Sequence, residues 1–209
     1  SPARGDWGGI GFTSGAVNNT LANVEVRYAG ALDWLAPNGF YGAVYSQSPS
    51  LTVSNSTITD SSGAGFFGHL GSFSLTNSRI ERTDAHSVRA AASGSLSGTV
   101  SNCPYLESVY YDGVGPRITW TGNTFNNWGQ KNSRAVPDDV RSLTANNTFN
   151  SVAGAVLEVW GGYVTLDAAW YKAAGPIVVL GNIVVQGTDG GDLRTTLTLE
   201  PGVEMRFAQ

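Results

Sequence analysis

The segment RIERTDAHSVR at residues 79–89 carries the densest cluster of side chains that could perform acid–base chemistry. Asp60 lies 22 residues before Arg82, so a chain that repeats with this period would stack the two residues. Carboxylates, an imidazole and a guanidinium brought together could move a proton, as the cleavage of a polysaccharide requires. Asp60, Arg82, Asp84 and His86 are therefore candidate acid–base residues. The favoured interpretation is a solvated face with ion pairs worth about 1 kcal/mol or less each.

The alternation of side chains along a β-strand predicts how this segment presents its charges. Residues two positions apart lie on the same face of a strand, so the segment divides into two sets. One face would hold Arg79, Glu81 and Thr83, and the other would hold Arg82, Asp84 and His86.

Other catalytic or metal-binding patterns in the sequence are weaker. The adjacent acids Asp138 and Asp139 follow a proline, and we expect them to form a solvated turn. The segment GTDGGD at 187–192 is similar to a calcium-binding loop but occurs once, so a glycine-rich turn is favoured. One cysteine, Cys103, excludes an internal disulfide and, with two histidines, leaves no set for a structural zinc ion. The sequence predicts no metal and no cofactor.

The elements that would position these residues are revealed by repetition. A polar residue is followed three positions later by an apolar residue in six short segments, as in LTVSNSTI at 51–58. Four of the five intervals between these segments are 20–25 residues, and the fifth, of 32 residues, contains an insertion at 32–42. The residues at the first position of these segments are Asn23, Asn55, Asn77, Asn102, Gly122, where a glycine replaces the polar residue, and Asn146.

A repeat of this length, with alternating apolar residues and no helical periodicity, indicates a β-solenoid with coils of about 20–25 residues. Residues 1–209 would form one domain of this kind. The alternative is an antiparallel sandwich or barrel, whose hairpins need Asn-Gly or Asp-Gly turns between paired strands. Three such dipeptides occur, but they do not lie regularly between strands.

The solenoid assigns structural roles to the repeated asparagines and to several aromatic residues. We expect the asparagines at a corner between strands, where one residue must adopt a left-handed backbone conformation. Their amides could also form a hydrogen-bonded ladder from coil to coil. The inward aromatic residues would fill the core, and they are Trp120, Phe73, Phe125 and Phe149.

Aromatic residues in the insertion suggest a second kind of function. Trp34, Phe40 and Tyr41 lie in or beside a long loop, and loops often carry recognition. Aromatic side chains offer a broad apolar surface on which a sugar ring can stack. These three residues are candidate glycan-binding residues.

The composition excludes some classes of protein. Charged residues make up 13% of the chain, and the net charge of −4 argues against binding to nucleic acid. No apolar run approaches the roughly 20 residues of a membrane-spanning helix, so we expect no membrane insertion. Few lysines and a single cysteine are typical of an extracellular protein, and we expect that any secretion signal has been removed.

The ends of the chain resemble a known family. GDWGGIGF at 5–12 and LANVEVRYAG at 21–30 are similar to repeats of large bacterial secreted and surface proteins, as are AGPIVVLGNIVVQG at 174–187 and TLTLEPGVEMRF at 196–207. The resemblance implies an all-β fold, the single-stranded right-handed parallel β-helix of pectate-lyase-like architecture. It implies a rigid, non-enzymatic module at the cell surface or outside the cell, with adhesion as a second possible role.

In the family, the motif that this chain has at its C-terminus normally precedes the motif that it has at its N-terminus. The resemblance therefore implies one period of a longer solenoid, with end coils that complement each other. We expect the module to stack end to end with itself or with tandem copies, as a filament or a rod; glycans are a further candidate partner. The end residues expected to form the contact are Trp7, Ile10, Phe12, Val203, Met205 and Phe207.

Overall fold

The computed structural model describes residues 1–31, 42–102, 105–108, 117–128, 133–189 and 191–208, with the backbone alone at 105–108. About 50% of the chain is β-strand and 5% is helix. The strands form stacked parallel sheets, so the predicted β-solenoid is confirmed. All strand pairs between described residues are parallel, which rules out the antiparallel sandwich for this part of the chain.

The elements follow one another in short steps around the solenoid. In chain order, the described strands are β1 (Ile10–Phe12), β2 (Asn19–Ala22), β3 (Glu25–Arg27), β4 (Gly42–Ser46), β5 (Leu51–Ser54), β6 (Thr57–Ser61), β7 (Ala64–Gly68), β8 (Ser72–Thr76), β9 (Arg79–Thr83), β10 (His86–Ala90), β11 (Ser93–Ser97), β12 (Val100–Asn102), β13 (Tyr105–Ser108), β14 (Ile118–Thr121), β15 (Thr124–Trp128) and β16 (Ser133–Ala135). The helix α1 (Pro137–Ala145) comes next, and then β17 (Thr148–Ser151), β18 (Leu157–Val159), β19 (Gly162–Val164), β20 (Ala168–Trp170), β21 (Ile177–Val179), β22 (Ile183–Val185), β23 (Leu197–Leu199) and β24 (Met205–Phe207).

Three long sheets form the walls of the solenoid. Sheet A has nine strands in the order β1-β4-β7-β10-β13-β16-β18-β21-β24, so it runs from the first described coil to the last. Sheet B has the order β2-β5-β8-β11-β14, and sheet C has the order β3-β6-β9-β12-β15-β17. Beyond α1, two short pairs, β19 with β22 and β20 with β23, complete the last coils.

The core consists of rows of apolar side chains that stack along the solenoid axis. In sheet B, Val53 pairs with Leu75, which pairs with Leu96, which pairs with Trp120, and all four are buried. The residues between them alternate toward solvent, as strand geometry requires. Each coil therefore buries the apolar face of its neighbours, and this contact supplies most of the stability.

The predicted core aromatic residues are confirmed. Phe73, Trp120 and Phe125 are buried, and Phe149 is half-buried against the same core. The ring of Phe73 lies over Gly94 of the next coil, where an added Cβ atom would come within 2.6–2.7 Å of Phe73. Glycine is therefore required at this position to make room for the ring.

The predicted corner between sheets B and C is confirmed for most of the series. Asn23, Asn55, Asn77 and Gly122 all have φ between +47° and +64°, in the left-handed region. The prediction was wrong for Asn102, which lies inside β12, because Gly98 with φ of +57° occupies the corner of that coil. It was also wrong for Asn146, which follows the last residue of α1 and has φ of −122°, outside the left-handed region. The asparagine pattern misses Gly98 because glycine reaches the same conformation without a side-chain amide.

The side-chain ladder lies one position after the corner. The amide N–H of Ser56 donates to the Ser78 hydroxyl at 3.2 Å, and the amide N–H of Thr99 donates to Asn123 Oδ1 at 3.0 Å. Asn123 in turn donates to Asn147 Oδ1 at 2.9 Å from both its backbone and its side chain. The corner asparagines themselves are exposed, so these inner residues rather than the corner ones satisfy the polar groups of the turn.

Substituting Ile58 by Asp tests the stacked core. Ile58 is fully buried, so the variant would bury a charge without a partner, and we expect a loss of about 3–5 kcal/mol in the free energy of unfolding. Thr52→Asp is the control, since Thr52 points outward on β5, and we expect a loss of about 1 kcal/mol or less. Urea unfolding followed by circular dichroism measures both, and equal stability of Ile58→Asp and wild type would contradict the packing described.

Substituting Asn55 by Val tests the left-handed corner. A β-branched residue at positive φ is strained, so we expect a loss of about 1–2 kcal/mol in the free energy of unfolding. Asn55→Gly is the matched control and should be close to neutral, because Asn55 is exposed and glycine adopts the same conformation freely. The corner assignment fails if the two variants unfold at the same urea concentration.

Candidate functional site

The predicted stacking of Asp60 and Arg82 is confirmed. Arg82 Nε donates to Asp60 Oδ1 at 2.7 Å and Arg82 Nη2 donates to Oδ2 at 2.9 Å, which makes a bidentate pair between neighbouring coils. Arg27 Nη2, from the coil before, donates to the same carboxylate at 3.3 Å. Glu81 extends the network, since it accepts from Arg82 Nη1 and from Arg79 Nε, both at 2.6 Å.

The predicted division of this segment into two alternating faces was wrong. Arg82 has φ of +51°, and the alternation of the strand breaks there. Ile80 and Glu81 are both buried although they are adjacent, whereas Arg79 and Arg82 are exposed. The local twist places Glu81 between the two arginines, so charges expected on opposite faces meet in one network.

The pKa of Asp60 is lowered from 3.8 to about 2, chiefly by the hydrogen bonds from Arg82 and then by Arg27. The carboxylate is therefore ionised throughout the neutral range. A general acid must carry a proton at the working pH, and a carboxylate with such a low pKa is also a weak base. The geometry thus favours ion pairing at Asp60.

The other two candidates do not join this pair. Asp84 forms an ion pair with Arg4, which belongs to the N-terminal segment. His86 begins β10 in sheet A and is half-buried. The structure therefore brings Asp60 and Arg82 together and places Asp84 in a separate pair. A catalytic role for these residues stays a prediction.

Among the residues that the structure describes, no group of three or more His, Cys, Asp or Glu side chains is arranged to hold a metal ion. In the 187–192 segment, Asp189 accepts from the Asp167 amide at 2.9 Å and Asp192 accepts from the Arg194 amide at 3.1 Å, as in a turn. No helix in the described part of the chain is long and apolar enough to span a membrane.

The outer face of sheet A carries a stripe of aromatic and charged side chains that the sequence reasoning missed. Tyr45, Phe67 and Arg89 are adjacent in register, and their neighbours in each strand point into the core. Tyr45 Oη lies 2.7 Å from His69 Nδ1, and the Arg89 guanidinium lies 5.5 Å from the centre of the Phe67 ring. The signal was present, since these three residues recur every 22 positions.

The predicted glycan-binding residues Trp34, Phe40 and Tyr41 lie outside the described residues, so their role stays a prediction. Their segment precedes β4, the strand that carries Tyr45.

Further along the outer face of sheet A, Arg134 Nε donates to Glu158 Oε2 at 2.7 Å.

The helix α1 replaces a strand of sheet B in its coil. The predicted solvated turn at Asp138 and Asp139 was wrong, because these residues form the first helical turn after Pro137 and Asp139 is only 1% exposed. A proline at the first position and acids in the first turn are signals for a helix start that the sequence does contain. Val140 and Leu143 are buried and anchor the helix in the core.

Side chains of α1 form hydrogen bonds with backbone groups of the strands that flank the helix. On the β14 side, Asp139 Oδ1 accepts from the Ile118 amide at 2.8 Å, and the Ser142 hydroxyl donates to the Ile118 carbonyl at 2.9 Å. On the opposite side, Asp138 accepts from the Thr165 amide at 2.7 Å, and Thr144 Oγ1 accepts from the Tyr171 amide at 3.1 Å. The Trp120 amide also donates to Ser142 Oγ at 3.3 Å, and Thr165 Oγ1 donates to Asp138 Oδ2 at 2.6 Å. Side chains of the helix thus substitute for a missing backbone ladder.

A helix is about 10 Å wide and strands in a sheet are about 4.8 Å apart, so α1 cannot lie flush with the sheet. A groove results, with a cavity of about 350 Å³. We call it the α1 groove. The two acids of α1 line it, and the other lining residues include Arg117, Thr119, Arg141, Leu166, Ala169 and Tyr171.

The end coils expose apolar surface. Ten large apolar side chains are exposed among the described residues, and seven of them lie in the first or last coil. Phe207 on the edge strand β24 is the clearest case, with 71% of its surface exposed. The seven residues are Trp7, Val17, Val184, Val185, Leu193, Leu199 and Phe207.

The predicted end residues are divided between core and surface. Ile10 and Phe12 on β1 and Val203 and Met205 near β24 are half-buried and pack against the core from its two ends. Trp7 is exposed in the first coil, and its indole N–H donates to the Arg27 carbonyl at 2.7 Å.

Comparisons of the chain with protein families, with curated proteins and with solved structures found no match.

The Asp60 ion pair has a measurable consequence. We expect the Asp60 carboxyl carbon to titrate near pH 2 in an NMR titration, and to titrate at a higher pH, closer to 3.8, in Arg82→Ala, where Arg27 still donates to the carboxylate. Because the folded pKa is lowered, the stabilisation from this pair is present above about pH 4 and is lost as the pH falls toward 2. Unchanged titration of Asp60 in Arg82→Ala would contradict the assigned pair.

Proposed function

We propose that this chain is a non-enzymatic structural module whose end coils stack on neighbouring coils, either of a tandem module or of a second subunit. The observation that carries the proposal is the concentration of exposed apolar side chains on the first and last coils. Apolar patches on an otherwise polar surface mark interaction sites. Along the sides of the solenoid, the remaining exposed large apolar residues of the described part are Leu70, Tyr163 and Tyr171.

The geometry of parallel sheets supports end-to-end contact. Strands in such a sheet are related by translation, so the free edge of the last strand matches the free edge of the first. In sheet A, β24 and β1 are these two edge strands. Unpaired edges are normally covered, because their N–H and C=O groups are templates for another strand.

The register within sheet A indicates which residues would meet. Ile177 pairs with Met205 and Val179 pairs with Phe207 at one end, while Ile10 and Phe12 occupy β1 at the other. Continuing the sheet would place Met205 beside Ile10 and Phe207 beside Phe12. Full burial of an exposed apolar side chain contributes about 1.5–3 kcal/mol, so the exposed Phe207 would contribute most and the half-buried residues would contribute less.

The contact is head to tail and relates its two sides by translation along the solenoid axis, so it would not close into a ring and would produce rods or filaments. The resemblance of both ends to repeats of large bacterial surface proteins supports an extracellular or cell-surface role in a bacterium. The low charge and the single cysteine are consistent with that location.

Assembly of the isolated chain is tested by light scattering and electron microscopy over a range of protein concentrations. We expect the mean particle mass of the wild type to rise with concentration, and Phe207→Glu to shift the particles toward monomers by placing a charge in the contact. Leu70→Glu is the control, since Leu70 is exposed on the side of the solenoid, and it should assemble like the wild type.

A chain with two tandem copies tests stacking between modules of one polypeptide. Covering one end face should raise the thermal midpoint of the two-copy chain above that of the single copy. If the single copy stays monomeric and the two-copy chain unfolds at the same temperature as the single copy, the proposal is wrong in both forms.

A further inference from the structure

We propose that the α1 groove binds a carboxylate-bearing sugar. This inference is independent of end-to-end assembly, because the groove lies at the side of the solenoid, between β14 and β20. Its cavity of about 350 Å³ falls in the usual range for small-ligand sites, which is about 300–1,000 Å³.

The walls of the groove are held in place before any ligand arrives. The hydrogen bonds of Asp139 and Ser142 to Ile118 fix α1 to one side, and those of Asp138 and Thr144 fix it to the other. A ligand therefore does not have to order the helix, and this reduces the entropy that binding must overcome.

Two arginines supply the charge that would bind a carboxylate. Arg117 Nη2 donates to Thr165 Oγ1 at 3.1 Å, and Arg141 Nη1 donates to the Asp167 carbonyl at 3.3 Å. Each of these bonds uses one of the five N–H groups of a guanidinium, and each bond holds the side chain in position. The planar fork of arginine matches a carboxylate with two parallel hydrogen bonds.

The two acids of the lining face their own chain. Both oxygens of Asp138 accept from Thr165, at 2.7 Å from the amide and 2.6 Å from the hydroxyl, and Asp139 Oδ1 accepts from the Ile118 amide. The formal charges of the two arginines and two acids balance. Without a net positive charge the groove disfavours a polyanion such as a phosphate polymer, and a single carboxylate would be bound through the remaining N–H groups of the two arginines.

The rest of the lining suits a sugar ring. Tyr171 is 41% exposed, and its aromatic face offers apolar area with a polar tip. Leu166 and Ala169 extend this apolar wall. The Thr119 hydroxyl, on the exposed side of β14, supplies a group that both donates and accepts hydrogen bonds.

Isothermal titration calorimetry tests the proposal with two matched probes, a glucuronic-acid oligosaccharide and the same oligosaccharide after reduction of its carboxyl groups. We expect the acidic form to bind the wild type at least about tenfold more tightly than the reduced form, since a bidentate charged pair is lost on reduction. Binding of the acidic form should also weaken as the salt concentration rises.

Three variants locate the site. Arg117→Ala, Arg141→Ala and Tyr171→Ala should each weaken binding of the acidic form about tenfold or more. Arg79→Ala is the matched control, because Arg79 is an exposed arginine on sheet C. If Arg141→Ala does not fold, Arg141→Gln keeps a donor toward the Asp167 carbonyl but removes the charge, and it should show the same loss.

Each outcome of these titrations either supports or contradicts binding in the α1 groove. Tighter binding of the acidic form, lost in the groove variants and kept in Arg79→Ala, supports the proposal. Equal binding of both oligosaccharides, binding that the groove variants leave unchanged, or no binding at millimolar concentration of either probe would each overturn it.

Discussion

The stacking of one coil on the next in register is the interaction on which the rest of this structure depends. Each strand of sheets A, B and C obtains its hydrogen bonds from the coils above and below it, and each inward side chain is covered by its counterparts there. A coil has no core of its own, so its apolar residues are buried only in the stack. The same requirement explains the left-handed residue at the corner between sheets B and C, because every coil must turn at the same point of its path to remain in register with its neighbours.

The stacking requirement also explains the features that depart from regular repetition. Where α1 replaces a strand, the backbone ladder is broken. Polar side chains of the helix form hydrogen bonds with backbone groups of the strands on both sides instead. A helix needs more room than a strand, so this repair leaves the α1 groove. In the first and last described coils, apolar side chains such as those of Val17 and Phe207 are exposed.

The charged cluster illustrates how stacking changes chemistry. In sequence, Asp60 and Arg82 belong to different segments, and their residue types suggest proton transfer. Stacked in adjacent coils, they form a bidentate ion pair that holds the pKa of Asp60 at about 2. The period of 22 residues was sufficient to predict that the two residues meet, whereas the left-handed turn at Arg82, which brings Glu81 into the same network, depends on backbone conformation that residue types do not reveal.

The sequence by itself determined the β-solenoid, three of its corner asparagines (Asn23, Asn55 and Asn77) and its inward aromatic residues, because these are set by local alternation and by a period that recurs along the chain. It was sufficient to place Asp60 against Arg82 for the same reason. Only the tertiary structure decided that α1 stands in for a strand, that Gly98 takes the corner in place of Asn102, and that Arg117, Arg141 and Tyr171 line one groove. These features occur where the repeat is interrupted, and they bring together residues of different coils. The sequence has no periodic pattern at an interruption, so the geometry there could not be predicted from it.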